Sequence, residues 1–378
     1  MSRLAAPDAA PSPLQKLLRF HWALALSVAA VAAAGALMLY SVAGGSAEPW
    51  AARHASRFGV GFALMLAVAF VHLRYWRALS PLAYLGALGL LLAVEVAGAT
   101  GMGATRWIEL GPLRLQPSEL MKIGLVMALA WYYDRLDPAK VSHPLRLLPP
   151  LAMILVPMAL VLKQPDLGTA LLIGLGGAAV MWLAGVHWAY FATAAAVGGG
   201  LVTAVLQSRG TSWQLIKDYQ FRRVDVFLNP ELDPLGAGYH ITQSKIAFGS
   251  GGLGGRGFMQ GTQSRLNFLP EKHTDFIFTT LAEEFGFFGA IGLLTLYGLI
   301  VLFCLVSMLA NRDRFGALLT GGLAVAFFLY FAVNMAMVTG LAPVVGVPLP
   351  LVSYGGSALL VLMIAFGLVQ SAHIHRPR

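Results

Sequence analysis

Asp275 closes the run Glu271-Lys272-His273-Thr274-Asp275, which puts four ionisable side chains into five residues directly ahead of an apolar stretch. A carboxylate at a helix start is favoured by the free amides and the helix dipole, and it stays ionised there. A helix cap is the plainest role for it. His273 and Lys272 beside it admit a second role, an ionised carboxylate that binds a cation or accepts the proton of a bound hydroxyl. Such a group is a weak base, so proximity has to do much of the work. Glu119 and Lys122 are three residues apart and so share one helix face. Ionisable groups in an apolar segment are costly, and they are paired or turned toward a cavity. The two therefore read either as a structural ion pair or as a polar wall for a charged head group. Arg106, in Arg106-Trp107-Ile108-Glu109-Leu110 ahead of a turn at Gly111-Pro112, has the geometry for a phosphate, with Trp107 as an interfacial anchor. Asp166 follows Pro165 and is again a cap or a site residue. Glu95, Glu283 and Glu284 also fall within apolar runs and need partners.

The elements that must position these residues are membrane spans. The 378 residues are 58% hydrophobic and 11% charged, against roughly 25% charged in a soluble domain. Mean hydropathy is +0.72. Apolar runs of spanning length fall near 20–43, 57–76, 80–99, 117–135, 146–162, 167–185, 188–206, 279–309, 315–340 and 352–373. The expected fold is an all-α polytopic membrane protein with ten transmembrane helices and a long extracytoplasmic loop, about 207–278, between spans seven and eight. Residues 1–19 and 374–378 are cytoplasmic tails around one membrane domain, 20–373. Sorting the short loops by side gives twelve Lys and Arg on the N-terminal side and five on the other, which places both termini inside. The pair 146–162 and 167–185, joined only by Lys163-Gln164-Pro165-Asp166, also admits a re-entrant reading. Net charge +9 fits loop bias rather than nucleic-acid binding. Cys304, the single cysteine, excludes an internal disulfide. The first apolar run is too long for a cleaved signal, and no internal repeat of the transporter kind is visible.

Gly249-Ser250-Gly251-Gly252-Leu253-Gly254 matches the dinucleotide pattern, but that pattern has meaning only between a strand and a helix of a βαβ unit. A flexible or close-packed loop is the better reading. The long loop carries a helical patch at Tyr239 to Phe248 and turns at Asn229 to Pro234. Gly340 to Pro350 has no charge, has three prolines and two glycines as turn formers, and leads into Ser353-Tyr354-Gly355-Gly356-Ser357. At membrane depth such backbone is tolerated where it lines a cavity. Zinc-ligand spacing, a phosphate-binding loop and an ordered Ser/His/Asp set are all missing from the sequence.

Five stretches in order, RWIELGPLRLQPSELMK, QPDLGTALL, DPLGAGYHITQSKIAFGSGGLGGRGF, GTQSRLNFLPEKHTDFIFTTLAEEFG and GLAPVVGVPLPLVSYGGSALL, resemble the SEDS family (shape, elongation, division and sporulation proteins), nearest its rod-shape branch. The resemblance covers nearly the whole chain from the first span onward. It implies a peptidoglycan glycosyltransferase of the bacterial inner membrane that polymerises lipid II on the periplasmic face during elongation. The family's essential carboxylate falls on Asp275, as base or metal ligand, and its buried pair on Glu119 and Lys122. Substrate contacts are expected at Arg106, Glu119, Lys122, Asp166, Lys245, Arg256, Gln263, Lys272 and His273, with Arg265 a further cation for the pyrophosphate. The resemblance also implies lipid II, the nascent glycan strand, membrane lipids, a class B penicillin-binding transpeptidase and the elongation complex as partners, with no nucleic acid. A divalent cation, Mg²⁺ or Mn²⁺, could share the leaving-group charge, and no organic cofactor is expected. The competing classes are a lipid II flippase and a non-enzymatic scaffold of the cell-wall machinery.

Overall fold

The computed structural model describes residues 12–377 apart from 98, 102–103, 111–112, 234–235, 267 and 269–271. The expected turn at Gly111-Pro112 and the Pro270-Glu271 part of the polar cluster lie outside the described residues. The chain opens with a short helix, α1 (Pro13–Arg19), and continues through α2 (Trp22–Val42), α3 (Ala51–Phe70) and α4 (Leu73–Ala97). A small antiparallel meander follows, β1 (Ala99–Gly101), β2 (Ala104–Leu110) and β3 (Leu113–Leu115), in the order β1-β2-β3. Ile108 pairs with Leu115, so the strand that carries Arg106 is one arm of a hairpin. Next come α5 (Pro117–Arg135), α6 (Pro144–Lys163), α7 (Leu167–Leu183) and α8 (Trp188–Gln207). The long loop holds α9 (Asp218–Leu228), α10 (Ala237–Gly251) and α11 (Thr262–Arg265). The chain ends in α12 (Ile277–Leu309), α13 (Arg314–Val338) and α14 (Gly356–Ile374).

A long helix stands at each of the ten expected places. Among the described residues seven are both long and apolar enough to cross a membrane, namely α2, α4, α6, α8, α12, α13 and α14. The apolar α7 has 17 residues, short of that length. The other two carry charge, Arg53 and Arg57 on α3 and Glu119, Lys122, Asp134 and Arg135 on α5.

Boundaries correct the sequence reading in three places. The second span was expected at 57–76, but the chain breaks at Val71-His72, and Arg74 and Arg77 open the next helix. The last helix starts at Gly356 rather than 352, because Val352 to Gly355 belong to the preceding loop. The eighth span is broken at Gly286, whose φ of 66° and ψ of −160° are not helical.

At the centre is α5, buried on nearly every side and packed against α4, α7 and α13. Small residues allow this closeness, as expected where helices pack in lipid. A Cβ on Gly322 of α13 would come within 2.6 Å of Val126 and 2.7 Å of Val180. Around this centre α14 lies along α3, α12 along α2 and α13, and α6 along α7. No residue of α8 is buried, and its start is tied to the body by His187 N and Tyr190 Oη, which bond Ser142 Oγ and O.

Polar contacts gather at the two ends of the bundle. At one end Lys16 Nζ donates to Phe70 O at 2.8 Å, His21 N to Gln370 Oε1 at 2.9 Å and Arg314 Nη1 to Leu136 O at 2.7 Å, while Arg77 joins Asp313. At the other end Lys163 pairs with Glu95 at 3.6 Å, Arg57 lies over the Tyr354 ring at 5.0 Å, and the long loop packs on α12. The first helix and the end of the last thus share one end of the molecule.

Candidate active site

Glu119 and Lys122 face the interior from the first turns of α5. Pro117 opens that helix, where its missing N–H costs nothing. Lys122 Nζ donates to Glu119 Oε1 at 2.8 Å and to Tyr330 Oη at 2.6 Å, and Tyr330 donates to Glu119 Oε1 at 2.5 Å. The Lys122 ammonium also lies 3.8 Å from the Tyr330 ring centre. The pair is thus a trio closed by a tyrosine from α13, 208 residues along the chain. Each charge is met, as a buried ion pair requires.

A cavity of about 70 Å³ opens beside the trio, room for a few water molecules. The trio forms its polar end. Phe327, Leu359 and Leu362 form an apolar flank, and Pro348 to Leu351 with Ser353 form the third wall. The loop before α14 therefore lines a cavity, as its proline and glycine content predicts. Gly346 has φ +71°, and Leu349 N is satisfied by Ser353 Oγ at 2.8 Å.

Asp275 lies on the other side of this loop. The segment before α12, a run of turns over 272–276, lies along it, and three successive carbonyls receive donors from the α13–α14 region. Tyr354 N reaches His273 O at 2.9 Å, Ser353 Oγ reaches Thr274 O at 2.5 Å and Asn334 Nδ2 reaches Asp275 O at 3.0 Å. A Cβ on Gly346 would stand 3.9 Å from Asp275 Oδ2, so the carboxylate rests against the glycine edge of the loop. Asp275 is half-buried and does not itself line the cavity, and the loop connects the two. His273 stacks on Trp50 with ring centres 4.7 Å apart.

Asp166 caps α7, accepting from Thr169 N at 3.1 Å and Thr169 Oγ1 at 2.9 Å. Arg106 fixes the β-hairpin to this cap. Its Nε donates to Gln164 O at 3.0 Å, it bonds Pro165 O, and its Nη1 lies 3.8 Å from Asp166 Oδ2. Both residues thus have structural duties that a substrate would have to share. The loop packs here too, since a Cβ on Gly168 would meet Val345 O at 3.0 Å. Glu119, Lys122 and Tyr330 form the hydrogen-bonded centre, with Asp166 beside the loop on one side and Asp275 against it on the other.

Three other expected site residues stand apart from that centre. Arg256 and Gln263 surround Glu283, whose carboxylate accepts from Thr262 N at 2.8 Å and Gln263 N at 3.1 Å. Lys272 Nζ donates to Ser264 O at 2.7 Å, and burial pushes its ammonium pKa down. Lys245 lies between the groups, close enough that a Cβ on Gly340 would meet its Cε at 3.0 Å. The glycine-rich stretch is close-packed at two points, where a Cβ on Gly251 would stand 2.1 Å from Ala282 O and one on Gly255 2.2 Å from Glu284 O, while Gly249, Gly252 and Gly254 face open space. Arg256 N and Gly257 N bond Glu283 O and Glu284 O, both at 3.0 Å, and Phe287 N bonds Gly252 O at 2.9 Å. The loop thus satisfies the backbone that the break at Gly286 exposes. Among the described residues no group of three or more His, Cys, Asp and Glu could hold a metal ion.

The sequence reading missed Tyr330, Asn334 and Ser353. Their signal is a single polar residue in or beside an apolar helix, and it gains meaning only when partners far along the chain are known.

A family model described as "Cell cycle protein", covering FtsW, RodA and SpoVE, matches residues 15–378. Peptidoglycan glycosyltransferase MrdB of Escherichia coli (strain K12) is 44% identical over 326 residues, 86% of this chain and 85% of its own length. The probable peptidoglycan glycosyltransferase FtsW of Trichlorobacter lovleyi is 34% identical over 365 residues, 94% of this chain and 93% of that protein. Among solved structures, a chain from work on coordination of polymerization and crosslinking by a peptidoglycan synthase complex superposes with a TM-score of 0.79 at 33% identity, over 94% of this chain and 97% of that one. The rod shape determining protein RodA of Thermus thermophilus superposes with a TM-score of 0.70 at 30% identity, over 95% of this chain and 98% of its own.

Proposed function

This chain belongs to the family of FtsW, RodA and SpoVE cell cycle proteins, and from that membership and the site just described we propose a multi-pass membrane peptidoglycan glycosyltransferase that serves cell elongation. Its substrate is lipid II. It works in the bacterial inner membrane through ten spans, with both termini cytoplasmic and the end that carries Asp275 in the periplasm.

The 4-hydroxyl of an incoming lipid II sugar attacks the lactol carbon of the growing strand. A C–O bond forms there as the bond to undecaprenyl pyrophosphate breaks. The leaving pyrophosphate takes the electron pair, and the hydroxyl proton passes to Asp275. An α-linked donor and a β-1,4 product require a single inversion, so one base is enough and no covalent nucleophile is needed. The transition state is oxocarbenium-like, as in glycoside hydrolysis. Leaving-group charge falls to cations at this end, Lys245 and Lys272 among them. The cavity's polar trio and apolar flank suit the junction between a charged head group and an isoprenoid chain. In the alternative role of Asp275 as a cation ligand rather than the base, its carboxylate would hold a divalent cation such as Mg²⁺. When bound it would neutralise developing phosphate charge.

The observation that carries this reading is half-buried Asp275, its backbone held through the bonded carbonyls of 273–275 and its carboxylate set against a loop that also walls the cavity beside Glu119 and Lys122. A class B penicillin-binding transpeptidase is the proposed partner, by similarity to the peptidoglycan synthase complex. Purified wild type and Asp275→Asn, each given lipid II with and without divalent cation, provide the test. Wild type should make glycan strands and the variant none. Strand synthesis by the variant at the wild-type rate would refute the role of Asp275.

A further inference from the structure

Asn334 is fully buried in α13 and uses one amide nitrogen twice. Its Nδ2 donates to Asp275 O at 3.0 Å and to Val347 O at 2.7 Å. Two carbonyl acceptors fix which end of the amide faces them. The side chain therefore ties the backbone of the catalytic carboxylate to the backbone of the cavity loop one residue after Gly346, the glycine against which that carboxylate rests. Ser353 acts from the far end of the same loop. It accepts from Leu349 N at 2.8 Å and donates to Thr274 O at 2.5 Å.

We propose that Asn334 is a positioning residue for the transfer, setting the Asp275 carboxylate against the loop, with Ser353 as the second jaw of the same clamp. The proposal rests on the assignment of Asp275 above. Neither clamp residue is given a contact with the reacting atoms. Their effect is on where Asp275 stands, and an error of about 1 Å in such a group costs on the order of a hundredfold in rate. A clamp of this kind predicts loss in kcat with little change in KM, because lipid II binding does not depend on it.

The experiment measures strand synthesis from lipid II by full-length Asn334→Ala, Asn334→Ser, Ser353→Ala and Asp275→Ala, with thermal unfolding of each in detergent. Asn334→Ala and Ser353→Ala should each lower kcat about 10- to 100-fold with KM within about twofold. Asn334→Ser, which keeps one donor, should recover part of the loss. The double variant should lose less than the product of the two single losses, since both act on one segment. Should Asn334→Ala fail to fold, Asn334→Ser and Ser353→Ala read the same clamp. Near-wild-type kcat in the folded clamp variants, or a loss confined to KM, overturns the proposal while an inactive Asp275→Ala leaves the base assignment standing. An active Asp275→Ala would instead remove the base assignment itself.

Discussion

Glu119 and Lys122 show how a buried charge pair divides between structure and chemistry. With Tyr330 they satisfy one another at 2.5–2.8 Å. Removing one partner leaves the other charge uncompensated, which costs about 3–5 kcal/mol in soluble proteins. Lys122→Met should therefore lower the unfolding temperature and abolish synthesis. Glu119→Gln combined with Lys122→Met should restore much of the stability and none of the activity, checked by thermal unfolding and the strand assay on the same preparations. Recovered synthesis in the double variant would make the pair purely structural. The pair was readable from sequence because ionisable residues stand out in an apolar chain. The third member was not. Tyr330 is one hydroxyl in an apolar helix, and its partners lie 208 and 211 residues away.

At the scale of elements, the break in α12 is the feature least readable from sequence. Glycine is common in this chain, and nothing local separates Gly286 from Gly289 or Gly292. What separates it is the loop beneath. A Cβ on Gly286 would stand 2.3 Å from Gly255 N, and its φ of +66° is strained for any side chain. Gly286→Ala should lower the unfolding temperature by several degrees and expose 249–263 to limited proteolysis. Gly249→Ala, where a Cβ meets nothing within 4 Å, should change neither, and an unaltered Gly286→Ala would show that the pairing does not hold the loop. The sequence reading of the glycine-rich stretch as a flexible or close-packed loop left two alternatives; the structure makes 249–251 the end of α10 and packs only Gly251 and Gly255 tightly, against a partner that could not be named from sequence. The helices themselves were legible from hydropathy, whereas the α3–α4 break was misplaced because the apolar run 57–76 continues past Val71-His72 into the helix that Arg74 and Arg77 open.

For the whole molecule, the two polar ends make a topology that labelling can test. Cys304 is buried, so introduced cysteines report alone. Ser46→Cys, at the Asp275 end, should react with an impermeant maleimide in intact spheroplasts. Arg312→Cys, at the opposite end, should react only after permeabilisation, and the reverse pattern would invert the orientation. The second end also carries a pH response. His375, just past α14, donates Nδ1–H to Ser371 O at 2.9 Å, and its ring centre is 4.6 Å from that of His72. Burial first, then the charges of Lys16 and Arg19 and the neighbouring His72, push its pKa down from 6.5 to about 4. The unfolded chain therefore binds a proton below about pH 6.5 that the folded chain does not. Stability should be full above that pH and fall as pH drops toward 4. Unfolding temperatures at pH 7.5 and 5 should show the drop, and His375→Gln should reduce it.

The supports of Asp275 come from late in the chain. Asn334 follows it by 59 residues, and Ser353, which holds its neighbour Thr274, follows that residue by 79. A ribosome that has just threaded α12 into the bilayer has made the carboxylate but none of its braces. If Asp275 is the base as proposed, the nascent enzyme is inert until its closing helices arrive, and no half-built copy can start a strand.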